Sequence, residues 1–338
     1  MFRLGASMET IMLRKFAKPR SKDEKYYLNW NNCVNFINSK EWGRISKTKN
    51  SEIFFKLEGF DRVGLDGLMW LLLMGEILYK NNNYLILNLP KKESILRYIK
   101  SVGFHKIASD LFEIFPMFYL DEIKEYEEEK KGVKIKKVTN VNLQNIKRDF
   151  FWFIESGEFT KMRGTKHLLD EIFSEYTQSL LVTIISELLN NIIEHSGETI
   201  NTGYGYTATF ISGKKINIFI ADVGIGFRKG LERKELVTKS DQEAIKKAFL
   251  FKYYKDTKVE GRGIFEVLKC LRKLGGWMLI RSGEAEGRLE MSEIRLYKEE
   301  NEDEIIRKLV EDKLRIYKKG YFPGVQYSIL IDTKRHYV

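Results

Sequence analysis

Residues 180–197 read LLVTIISELLNNIIEHSG, and their spacing leaves little choice of local structure. Apolar residues come in pairs, at Leu180/Leu181, Ile184/Ile185, Leu188/Leu189 and Ile192/Ile193, which is the period of a helix. At roughly 100° per residue these side chains cover one broad arc. Glu187, Asn191 and His195 stand at i, i+4 and i+8, so they form a polar ladder along one line of that helix. The ladder borders the apolar arc, while Thr183, Asn190 and Glu194 hold the solvent side. A carboxylate, an amide and an imidazole at the margin of a core suit the wall of a pocket. Taken alone, the same residues also suit a plain core helix whose flanking polar groups find ordinary hydrogen bonds.

Two later stretches bear on that choice. Ala221-Asp222-Val223-Gly224-Ile225-Gly226-Phe227 follows an apolar strand, and Gly261-Arg262-Gly263-Ile264 opens another amphipathic helix. The order E-x-x-x-N-x-x-x-H, then D-x-G-x-G, then G-x-G at a helix start resembles the GHKL ATPase superfamily, over about residues 166–332. That superfamily includes the gyrase and Hsp90 ATP-binding domains, the MutL-type proteins, the histidine kinases and the anti-sigma-factor kinases. His195, on the third rung, is similar to the anti-sigma kinase branch.

The resemblance implies a Bergerat-type ATP-binding fold, an α+β sandwich with helices packed on a mixed sheet, and it implies ATP and Mg2+ as cofactors. Asp222 would accept a hydrogen bond from the adenine amino group. Gly224 and Gly226, lacking Cβ atoms, would let the backbone approach base or sugar. Asn191 would ligate Mg2+ through its amide oxygen. Glu187 would be the catalytic base that polarises the attacking water or hydroxyl. Gly261 and Gly263 would meet the phosphates at the start of a helix, and Arg262 between them either adds charge to the phosphates or points to solvent. His195 would support the site rather than take part in the chemistry. Residues 223–260 would be the lid, whose lysines (Lys239, Lys246, Lys247, Lys252, Lys255 and Lys258) either reach phosphate on closure or form a solvated face. Pro323-Gly324-Val325 keeps the glycine of the family's G-T pair and loses the threonine hydroxyl.

The first half of the chain reads differently. Strands over 53–57 and 84–89 alternate with helices over 66–79 and 93–102, which argues a small α/β unit with parallel strands. The segment F-D-R-V-G-L-D-G-L, with the helix, strand and N-L-P turn after it, resembles the STAS fold of anti-sigma-factor antagonists. There the phosphoacceptor serine precedes a glycine matching Gly67, and this chain has Asp66 instead. A carboxylate is no such acceptor; it either holds a fixed docking charge or serves the helix N-terminus.

These readings divide the chain into an N-terminal helical segment (1–50), the STAS-like module (51–120), a charged linker (121–140) and the GHKL-like domain (141–338). A helix over about 298–319 is inserted before a last strand at 325–331. Strands are expected over 203–210 and 216–220, joined as a hairpin, and over 277–282 and 288–297.

Composition excludes some classes. With 43% hydrophobic and 13% aromatic residues, the chain has what it needs to build cores rather than stay disordered. Cys33 and Cys270 lie too far apart for a metal motif or a disulfide framework, which favours a reducing compartment. No signal peptide is visible, and the apolar run at 65–78 contains Asp66 and Glu76, so it is no membrane span. The expectation is a cytoplasmic protein with no membrane association. A net charge of +11 invites a nucleic-acid partner, yet the basic residues are scattered among acids and no nucleic-acid motif is present. The leading functional expectation is an ATP-binding protein, with a protein partner, whose nucleotide state, with or without slow hydrolysis, controls a conformational switch or a homodimer. The alternatives are a serine/threonine kinase of the anti-sigma type and a basic nucleic-acid-binding protein.

Overall fold

The computed structural model describes residues 8–16, 26–116, 134–155, 175–197, 204–212, 215–253, 263–291 and 301–332. The chain forms two compact units, Met1–Glu128 and Glu129–Val338.

The first unit runs β1 (Met8–Ile11), β2 (Tyr27–Leu28), α1 (Trp30–Ile37), α2 (Lys40–Ile45), β3 (Glu52–Lys56), β4 (Arg62–Val63), α3 (Leu65–Lys80), β5 (Tyr84–Asn88), α4 (Glu93–Ser101), α5 (Phe104–Ala108) and β6 (Glu113–Phe115). Its main sheet has the order β1-β3-β5-β6 with every pair parallel, as the strand–helix alternation requires. α3 is apolar nearly all round and is accordingly buried along most of its length. The 1–50 segment is not a separate helical piece: β1 pairs with β3 residue for residue, from Met8 against Glu52 to Ile11 against Phe55. β1 escapes a sequence reading because it is short and partly exposed, so it carries no clear alternation. Asp66, in the first turn of α3, accepts from the Gly67 amide at 2.9 Å and from the Trp30 amide at 2.6 Å. It therefore ties the start of α3 to the start of α1. Burial raises its pKa against the pull of those bonds.

The second unit runs β7 (Lys136–Val138), α6 (Leu143–Glu155), α7 (Glu175–His195), β8 (Gly205–Ser212), β9 (Lys215–Asp222), α8 (Gly226–Glu232), α9 (Asp241–Phe249), α10 (Gly263–Leu274), β10 (Gly276–Glu290), α11 (Glu302–Lys313) and β11 (Arg315–Asp332). The five strands lie in the order β10-β11-β9-β8-β7. The expected mixed sheet is corrected: every described pair in it is antiparallel. β8 follows β7 after α6 and α7, β9 follows β8 directly, and β11 follows β10 after α11 and lies between β10 and β9. Among the described residues parallel pairing is confined to the first unit, and the fold is mixed α/β.

The boundaries also move. Lys136–Val138, placed by sequence in the charged linker, is the edge strand of this sheet, paired with β8. The strands expected over 277–282 and 288–297 are one strand as far as Glu290, β10, whose register shifts around Gly283 at φ +59°, and 292–297 lie outside the described residues. That bulge looks like a break in the sequence pattern, although pairing with β11 continues on both sides. The inserted helix ends at Lys313, and residues 315–319 already belong to β11. The paired apolar residues of α7 are buried as expected, with Ile184, Leu188 and Ile192 packing in one core with Ile218, Ile220 and Ile329 of the sheet. No described helix is long and apolar enough to cross a membrane.

Candidate functional site

α7 supplies the first wall. Its apolar arc is pinned against the sheet, and that orientation turns the Glu187–Asn191 edge toward the start of α10. A Cβ built on Gly263 would lie 2.9 Å from Glu187 Oε2 and 3.5 Å from Asn191 Oδ1. Gly263, the last residue of the G-x-G motif, thus begins its helix directly against two rungs of the ladder. Asn191 Nδ2 is buried without a hydrogen-bond partner. Burial lifts the Glu187 carboxyl above its ordinary range; Lys147 of α6 pulls it back, and Glu194 and Glu266 add to the lift. Lys147 itself is held on α7, its Nζ donating to Asn190 Oδ1 at 2.7 Å.

The second wall is the end of β9. Asp222 is only 4% exposed and receives the Gly224 amide on Oδ1 at 2.7 Å. Gly224 does not face the cleft: a Cβ there would fall 1.8 Å from the Ser196 carbonyl oxygen, so this glycine lets the turn pack on the end of α7. Gly226, at φ +72°, lines the cleft. The next amide, of Phe227, donates to Ser282 Oγ at 2.9 Å, which anchors the start of α8 to β10. On the third side, Gln326 Nε2 donates to the main-chain oxygens of Asp222 at 2.9 Å and of Pro323 at 2.8 Å.

These walls enclose one cleft of about 700 Å3, part of it open to solvent. Asn191, Asp222, Gly226 and Gly263 all line it, together with Phe227, Leu231, Phe251, Val325 and Tyr327, and Lys234 supplies an ammonium. Glu187 stands beside Gly263 at its margin. Gly261 and Arg262 lie outside the described residues, as does the side chain of His195, whose backbone closes α7. Of the lysines expected to form the lid, Lys247 is engaged by Glu243 at 2.9 Å and by the Val237 carbonyl oxygen at 3.0 Å. Lys255 and Lys258 lie outside the described residues.

Sequence reasoning missed Tyr327. Burial and the nearby Asp222 charge push its hydroxyl pKa well up, and the adjoining Asn191 carboxamide opposes them. The only hint was Gln326-Tyr327, a polar pair inside an apolar strand. Lys234 and Lys147 gave no signal in a chain so rich in lysine. Among the described residues no group of three or more His, Cys, Asp or Glu is placed to hold a metal ion. A cation here would take its remaining oxygens from a ligand or water. Comparison with known proteins finds no matching family model and no matching curated protein.

Proposed function

We propose that the Glu129–Val338 unit binds ATP in this cleft and acts as a nucleotide-controlled switch of the GHKL type, with slow hydrolysis. The supporting observation is convergence. Asn191, Asp222, Gly226 and Gly263, from three motifs far apart in sequence, line a single cavity.

The residues suit the ligand. Asp222 offers a fixed carboxylate to the exocyclic amine of the base, whose flat faces find Phe227, Leu231 and Val325. The start of α10 presents main-chain amides and the positive end of a helix dipole to phosphate, and Gly263 leaves room for close approach. The Asn191 side chain is half-buried, with its Nδ2 buried and unpartnered. Its oxygen lies 3.5 Å from a Cβ built on Gly263, at the start of α10, where it would hold Mg2+, which neutralises phosphate charge when bound. Glu187, half-buried beside Gly263, is the group that takes the proton of an attacking water. Its raised pKa suits that role better than an exposed glutamate would.

Calorimetry with Mg2+-ATP tests the reading. Saturable binding is expected in the wild type and its loss in Asp222→Ala; equal binding by both proteins ends the assignment. Glu187→Gln is expected to bind and not turn over. Transfer of label from the γ-phosphate to a partner protein, rather than to water, would favour the kinase alternative.

A further inference from the structure

Lys234 is the cation of its segment that lines the cleft. It lies in the turn after α8, where its amide bonds to the Leu231 carbonyl oxygen at 2.9 Å, and its side chain forms part of the cleft wall. Three cations near it have oxygen partners. Arg228 faces Glu232 at 3.5 Å, Arg233 donates to the Gly197 carbonyl oxygen at 3.1 Å, and Lys247 is held by Glu243 at 2.9 Å. The Lys234 ammonium instead rests over the Phe251 ring, 5.1 Å from its centre, with no oxygen partner among the described residues.

The ring is a fixed platform. Phe251 is buried, and the turn it belongs to ends at Tyr253. Tyr253 packs edge-on against Phe265 of α10 and donates its hydroxyl to the Asp303 carbonyl oxygen at 2.8 Å. An aromatic face attracts an ammonium without neutralising it. The cleft therefore has a positive charge in its wall, prepositioned and without a counter-ion among the described residues. Asp222, the acid in the same cavity, would repel an anionic group, so the two charges divide the cleft into a base-reading part and an anion-reading part.

We propose that Lys234 is the anion-reading residue of the cleft, its ammonium steadied on the Phe251 ring to engage phosphoryl oxygens of a polyphosphate chain. The inference rests on the nucleotide reading only for the base attached to that chain. Its affinity component is separable from it.

The test is calorimetry at fixed ionic strength on wild type, Lys234→Met and Lys234→Arg, with adenosine, Mg2+-ADP, Mg2+-ATP and inorganic tripolyphosphate as titrants. Methionine keeps the apolar stem on the ring and removes the charge. A charge-assisted bond to phosphate predicts about 10- to 100-fold weaker binding of ADP, ATP and tripolyphosphate by Lys234→Met. Adenosine affinity should change less than about twofold, and Lys234→Arg should recover most of the loss. If wild type takes tripolyphosphate but not adenine nucleotides, and Lys234→Met loses it, the ATP reading fails and this inference stands. The inference is overturned if Lys234→Met binds every phosphate-bearing titrant as the wild type does, if adenosine weakens equally, or if the wild type binds none of them.

Discussion

Gly324 lies so close to Asp222 that a side chain has no place there. A Cβ would sit 2.2 Å from the Asp222 carbonyl oxygen and 2.6 Å from its carboxylate Oδ1. Gly324 also holds φ +80°, a conformation that costs any other residue energy. The bare α-carbon of β11 is thus the floor on which the acidic end of β9 rests.

Gly324→Ala is therefore expected to destabilise the chain by about 1–3 kcal/mol, from backbone strain and forced displacement together. Because the displaced atoms belong to Asp222, nucleotide affinity should fall with stability. Thermal melts beside calorimetry check both; an alanine variant that melts and binds like the wild type contradicts the buttress.

Gly263→Ala should separate what Gly324→Ala joins. The atom its Cβ would meet is Glu187 Oε2, the mobile end of a long side chain, and alanine is at least as good as glycine at a helix start. Stability should change by less than about 0.5 kcal/mol. Turnover should drop roughly 10- to 100-fold, since a catalytic group displaced by about 1 Å loses its geometry. Steady-state kinetics beside a melting curve decide it, and unchanged turnover would take Glu187 out of the reacting geometry.

Much of the second unit was legible in the sequence because burial writes periodic patterns. The paired apolar residues of α7 gave its orientation, and with it the outward line that carries Glu187 and Asn191. The ends of β9 and the start of α10 were legible because glycines mark places where chain meets chain. Less legible were contacts that depend on register. Gly324 against Asp222 and Tyr327 against Asn191 arise from the pairing of β11 with β9, and no local pattern reports that. Gly224 shows the limit from the other side: its need for space is real, but the space is filled by Ser196, not left for a ligand. β1 and β7 were missed because three or four residues on a sheet edge carry too little hydrophobic alternation to be seen.

Glu187 should also leave a signature in stability. Its folded pKa is raised above the ordinary value of 4.5 by burial, so the folded state holds the proton more tightly than the unfolded chain. The stabilisation linked to that proton is complete below about pH 4 and is lost as pH rises through the raised value. Glu187→Gln carries no such proton. Its melting temperature relative to wild type should therefore rise between pH 4 and pH 8. A constant difference across that range would mean that the carboxyl is not strained by burial.

Asp66 offers the corresponding test in the first unit. If it were a docking charge, its removal would spare the fold and abolish an interaction. Its two carboxylate oxygens, however, are taken by the amides of Trp30 and Gly67, and the side chain is half-buried. Asp66→Ala strands two amides at the starts of α1 and α3, at a cost of about 2–4 kcal/mol for the loss of bonds to a charged acceptor. Asparagine keeps only one acceptor oxygen, so Asp66→Asn should recover part of that loss. Amide hydrogen exchange resolves where the damage falls: protection at Trp30 and Gly67 should drop first in both variants, with α7 and α10 exchanging as in the wild type. Wild-type protection at both amides in Asp66→Ala would return this residue to the role of a surface charge.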